Sequence, residues 1–258
     1  MNLQKNVKHT IIKVYEHLFE KTFQADSGDI LHYIYRKGKS NRLIVVFSGF
    51  AGYSVKGRYN YLTSLMNIRD NVLFIKDDLG YYSVGTYYFG EKCTWLVSNI
   101  VCELIELIRR KSNSNQIITC GSSKGGSAAL YYGLKVNAEA IICGSPQYKI
   151  AHYLTKKRDN ESTYWKDIFS YIEGNGYGLE EIDNILNDCI RQYRGDTKVI
   201  LLYSSKEASW GEDVHQLYSD LKDAGLLDLD YSKDLEYTVH DEIGTYMKKL
   251  LVSIISGI

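Results

Sequence analysis

Apolar residues in this chain fall into short runs separated by longer stretches with a helical repeat. The runs are Leu43 to Phe47, Val72 to Ile75, Ile117 to Cys120, Ala140 to Cys143 and Val199 to Tyr203. They are rich in Ile, Val and Leu and do not alternate with polar residues, which predicts strands covered on both faces. Ile30 to Tyr35 also reads as a strand, and Leu235 to Val239 alternates in the manner of a strand nearer an edge. Between the runs, Trp95 to Arg109 places Leu96, Ile100, Leu104, Leu107 and Ile108 on one stripe. Ser127 to Leu134, Glu180 to Tyr193, Asp213 to Leu221 and Glu242 to Ile254 supply further helices. Val7 to Phe19 fits either an amphipathic helix or a hairpin arm, and the apolar tail from Leu250 to Ile258 reads as a buried terminal helix.

Strand and helix alternating in this way predict an α/β fold with a mainly parallel central sheet flanked by helices. The alternation breaks once. After Cys143 the next strand begins only at Lys198, so residues 146–197 are expected to form a helical cap insertion after the sixth strand. In an open α/β sheet such an insertion lies over the carboxyl ends of the strands, where ligands bind. With one Pro, no Ser/Gly-rich linker and no internal repeat, residues 1–258 are expected to form a single domain.

Composition narrows the partners. Lys plus Arg and Asp plus Glu both number 31, so no net field attracts nucleic acid. Five cysteines without a C-x-x-C pair, mostly inside apolar runs, fit reduced thiols. The start of the chain carries no secretory signal pattern, and its most apolar tail is far short of the ~20 residues that span a bilayer. A cytoplasmic protein with no membrane span is expected.

The chemistry begins at Gly121-Ser122-Ser123-Lys124-Gly125-Gly126. In this G-x-S-x-G pattern the flanking glycines allow a strand to turn abruptly into a helix, lifting the serine hydroxyl above the sheet. The bare pattern arises by chance, but here a buried strand precedes it and a helix follows. A phosphate-binding turn is the competing reading, and neither the P-loop order nor G-x-G-x-x-G is present.

A serine nucleophile needs a base, and the base an acid. His240 follows the last expected strand and precedes a helix, which makes it the favoured base over His215 and His152. Glu207 lies four residues past the strand ending at Tyr203 and is the favoured acid; Asp213, beside Glu212, is the reserve. The oxyanion of an acyl intermediate needs N–H donors worth roughly 3 kcal/mol each. Lys124 supplies one, and Phe50 in Ser48-Gly49-Phe50 the other, with Gly49 making room. Tyr81 and Tyr82, in the loop from Asp77 to Tyr88, either line an acceptor groove or cover the sheet edge. The mechanism asks for no metal and no cofactor.

These motifs resemble the α/β-hydrolase superfamily across nearly the whole chain. Within it, Phe47-Ser48-Gly49-Phe50, the elbow from Gly121 to Leu130, and Gly144-Ser145-Pro146-Gln147 are similar to bacterial proteins of capsular polysaccharide biosynthesis. They are also similar to the acetyltransferase-like component of accessory secretion systems. The resemblance implies a serine esterase or O-acetyltransferase acting on a small-molecule or glycan acyl ester, with an acyl donor where transfer occurs. A non-catalytic glycan- or protein-binding module on the same fold is the alternative, and a peptidase is a third reading.

Overall fold

A computed structural model describes residues 2–50, 56–79, 83, 85–90, 99–160, 174 and 176–258. Helix α1 (Asn2–Phe19) is followed by β1 (Glu20–Gln24), β2 (Ile30–Arg36), β3 (Arg42–Phe47), β4 (Asn71–Lys76) and α2 (Ile100–Ser112). Then come β5 (Gln116–Ser122), α3 (Lys124–Lys135), β6 (Ala140–Gly144), α4 (Ile150–Asn160), α5 (Leu179–Gln192) and β7 (Lys198–Tyr203). A short π-helical turn (Trp210–Val214), α6 (His215–Asp223), β8 (Lys233–Asp234), a 3₁₀ turn (His240–Glu242) and α7 (Ile243–Gly257) complete the chain.

Eight strands form one sheet in the order β1-β2-β4-β3-β5-β6-β7-β8. The β1/β2 and β2/β4 pairs are antiparallel, and every pair from β4 to β8 is parallel. The long apolar runs owe their lack of alternation to burial on both faces. Leu43, Val45, Phe47, Leu73 and Ile75 face one way, against α2, α3, α5 and α6. Ile44, Val46, Val72, Phe74, Ile118 and Ile142 face the other way, against α7 and the segment holding Tyr59, Tyr61 and Leu65.

One open reading is decided, in favour of a helix, and two expectations change. The first arm is helical to Phe19, and the antiparallel edge strand β1 follows it. In α2 the buried stripe is Ile100, Val101, Leu104, Ile105 and Ile108, whereas Leu107 is exposed; Leu96 lies outside the described residues. Residues 235–239 form no strand. In this segment the ladder with β7 covers Lys233–Asp234 and stops, because Tyr237 then turns inward: its carbonyl accepts from Ser204 Oγ at 2.5 Å and its hydroxyl meets Ser145 Oγ at 2.5 Å. Between β6 and β7 lie α4 and α5, whose Ile150, Ala151, Leu154 and Ile182 bury against Tyr87 and Phe89 of the loop after β4. Among the described residues no helix is long and apolar enough to cross a membrane.

Candidate active site

The chain leaves β3 toward β4 on one side and returns as β5 on the other, so a crevice opens at the carboxyl ends of β3 and β5. The elbow closes β5 at that point. Ser123 adopts φ 54° and ψ −130°, a conformation disfavoured for any residue with a Cβ. It is held there by its N–H donating to Gly144 O at 2.8 Å, and by its carbonyl accepting from Gly126 N at 2.7 Å. Space forces glycine on both sides. A Cβ on Gly121 would lie 2.2 Å from Gly125 O, and one on Gly125 would lie 2.5 Å from Phe47 O.

Ser123, His240 and Glu207 form a continuous hydrogen-bonded chain. His240 Nε2 lies 2.8 Å from Ser123 Oγ, and His240 Nδ1 lies 2.5 Å from Glu207 Oε1. With the Nδ1 proton directed at the carboxylate, Nε2 is left bare to accept from the serine. The second carboxylate oxygen, Oε2, accepts from Ser145 Oγ at 3.1 Å, and Ser145 also meets the buried Tyr237 hydroxyl. Burial pushes the Glu207 carboxyl up, but its hydrogen bond and attraction to His240 outweigh this and hold it below the ordinary carboxylate value.

The other expected residues are placed as follows. Asp213 is not beside His240; its carboxylate accepts from Tyr148 N at 2.5 Å and Lys149 N at 2.8 Å, at the start of α4. His152 and His215 sit exposed on α4 and α6. Gly49 runs alongside the elbow, since a Cβ on it would come 3.1 Å from Ser122 O, and Phe50 follows at the carboxyl end of β3, packed toward α4. Lys124 opens α3 directly after the nucleophile. Tyr81 and Tyr82 lie outside the described residues, and the nearby Tyr87 and Tyr88 are buried.

Two features escaped sequence reading. The Lys124 side chain is buried and pairs with the equally buried Asp77 at 2.9 Å; Asp77 also accepts from Thr86 N and Tyr88 N. Gln147, directly after the single proline, reaches Ser123 Oγ at 3.0 Å and His240 Nε2 at 3.2 Å through its Nε2. The available signal was a polar residue following a buried strand at the same end of the sheet as the elbow. Among the described residues, no group of three His, Cys, Asp or Glu side chains is arranged to hold a metal.

No protein-family model matches the chain. It is 28% identical over 150 residues, 57% of its length, to an accessory Sec system protein of Staphylococcus aureus, of whose length it spans only 27%. Among solved structures it is similar to the capsule O-acetyltransferase of Neisseria meningitidis serogroup A in complex with CoA, with a TM-score of 0.73 and 20% identity over 92% of this chain and 94% of that one. It is also similar to S-formylglutathione hydrolase of Staphylococcus aureus, with a TM-score of 0.60 and 11% identity over 92% and 96% of the two chains. Sheet order, elbow and structural neighbours together give the conclusion that this chain has the α/β-hydrolase fold.

Proposed function

We propose that this chain is an acyl-transferring enzyme that works through an acyl-Ser123 intermediate. The observation that carries the reading is the Ser123–His240–Glu207 hydrogen-bond chain at 2.8 and 2.5 Å, mounted on an elbow whose serine is strained outward. His240 takes the hydroxyl proton as Oγ attacks the ester or thioester carbonyl. Glu207 fixes the imidazole tautomer and stabilises the imidazolium. The N–H groups of Lys124 and Phe50 receive the oxyanion. The leaving group takes the proton from His240, and an acceptor then releases the acyl group by the reverse sequence.

The substrate follows from the neighbours more than from the site. One neighbour is named as a capsule O-acetyltransferase crystallised with CoA, which supports an acetyl thioester donor and a carbohydrate hydroxyl as acceptor. The described helices α4 and α5, between β6 and β7, act as the cap over this site in this reading. The unpaired Cys102, Cys120, Cys143 and Cys189 support a reducing, cytoplasmic setting.

The test is covalent labelling with a fluorophosphonate probe. Native protein is expected to label at Ser123, Ser123→Ala to lose labelling entirely, and His240→Ala to slow it by at least roughly 10³-fold. Folded native protein that does not label would abandon the enzyme reading in favour of a non-catalytic binding module.

A further inference from the structure

Gln147 stands where the mechanism needs a moving reactant. Its Nε2 is 3.0 Å from Ser123 Oγ and 3.2 Å from His240 Nε2, and those two atoms are 2.8 Å apart. In deacylation the incoming nucleophile must lie within hydrogen-bond reach of His240 Nε2 and beside the acylated Oγ. The carboxamide fills that place. Its orientation follows from the imidazole: a bare Nε2 attracts an amide N–H and repels an amide oxygen, so the NH₂ end faces the histidine.

The other end of the carboxamide points to a ligand. Gln147 is 3% exposed, and its Oε1 is buried with no hydrogen-bond partner among the described residues. A buried acceptor left unpaired costs free energy that a bound donor would recover. The backbone here is held firmly. Ser127 Oγ donates to Gln147 O at 2.7 Å, Asp213 receives the next two N–H groups, and Pro146 precedes. The side chain is held by its contacts to Ser123 Oγ and His240 Nε2, both of which a bound acceptor would replace.

We propose that Gln147 determines which nucleophile receives the acyl group, by occupying the water position beside Ser123 and yielding it to an acceptor with several hydroxyls. This rests on the acyl-Ser123 reading. A polyol or sugar binds through several contacts, including a second hydroxyl that donates to Oε1, and so displaces the carboxamide; a lone water lacks those contacts. In transfer, the bond from the acceptor oxygen to the acyl carbon forms and the Oγ bond breaks. The acceptor proton passes to His240 Nε2 and then to Oγ. With water the same exchange releases the free carboxylic acid.

The experiment follows nitrophenyl acetate turnover by native protein, Gln147→Ala and Gln147→Asn, in buffer and with glycerol as the polyol probe. Nitrophenol, acetate and acetylglycerol are quantified, and fluorophosphonate labelling is measured alongside. In both variants the ratio of acetate to acetylglycerol among completed turnovers is expected to rise about tenfold, the weight of one net hydrogen bond. An unchanged ratio in variants that still label would overturn the role of Gln147 and leave the acyl-enzyme reading intact. Loss of labelling in both variants would equally overturn it, since Gln147 would then belong to the acylation machinery or to the fold. Absence of labelling in native protein would remove the underlying reading instead.

Discussion

Directly behind the nucleophile lies an ion pair with both members fully buried. The Lys124 and Asp77 side chains are 1% and 0% exposed, so neither ion keeps its hydration. Compensation comes from their 2.9 Å contact, from the Thr86 and Tyr88 N–H groups on Asp77, and from the Tyr88 ring 5.5 Å from Lys124 Nζ. A Cβ on Gly85 would lie 2.1 Å from that ammonium, so the loop closes over the pair only because residue 85 is glycine. The pair thereby ties the first residue of α3, whose N–H faces the oxyanion position in our mechanism, to the loop after β4. Asp77→Asn keeps the shape and removes one charge, leaving a buried ammonium, and should cost about 3 kcal/mol or more. Adding Lys124→Met should recover much of that loss. Urea unfolding of the single and double variants measures both, and strictly additive losses would show that the charges do not depend on each other.

At the scale of elements, the start of α4 is set by a side chain from a distant turn. Asp213 accepts the N–H groups of Tyr148 and Lys149, which a helix start leaves without partners of its own. Burial pushes its pKa up to about 6, against the pull of those two N–H groups, from an ordinary value of 3.8. The folded state thus holds the proton more tightly than the unfolded chain. The sign follows: stability from this group is fully present below pH 3.8 and is lost as pH rises through about 6, by about 3 kcal/mol at most. Asp213→Asn carries no charge at any pH and should lack this loss. Its stability relative to native protein should therefore be higher at pH 7.5 than at pH 4, measured by urea unfolding at the two values; an identical difference at both would refute the shift. Sequence missed this role because Asp213 sits 64 residues from Lys149, and only packing brings them together. The same limit explains β1, whose Glu20-Lys21-Thr22-Phe23-Gln24 lies at a solvated edge and has no apolar pattern to read. It also explains Leu235 to Val239, where Leu235 and Tyr237 alternate as in a strand but serve as buried anchors for a loop.

For the whole molecule, the central strands were legible because burial on both faces writes unbroken apolar runs, and Ser123 because its turn imposes glycines on the sequence. Glu207 was found by its place after β7, and His240 by its place after an expected strand at Leu235 to Val239 that the structure does not form; both lie in one hydrogen-bonded chain with Ser123, whereas Gln147, although part of Gly144-Ser145-Pro146-Gln147, carried no sign of its place beside the serine. What unites these residues is the sheet: Ser123 and His240 are 117 positions apart. His240 enters on the turn that opens α7, and α7 is part of the second core, with Met247 and Leu251 fully buried against the strands. A Cβ on Gly144 would lie 2.8 Å from Ile243, so the helix also seats against the strand end that holds the Ser123 N–H. Undocking α7 would strip one face of the sheet of its cover, which makes a state with a separated site and an intact fold unfavourable. Urea is therefore expected to abolish Ser123 labelling and the far-UV helical signal at one midpoint. Leu251→Ala, which leaves a cavity at a cost of about 2–5 kcal/mol, should lower both midpoints together. Labelling lost at a clearly lower urea concentration than the helical signal would mean that α7 and its histidine dock as a separate unit.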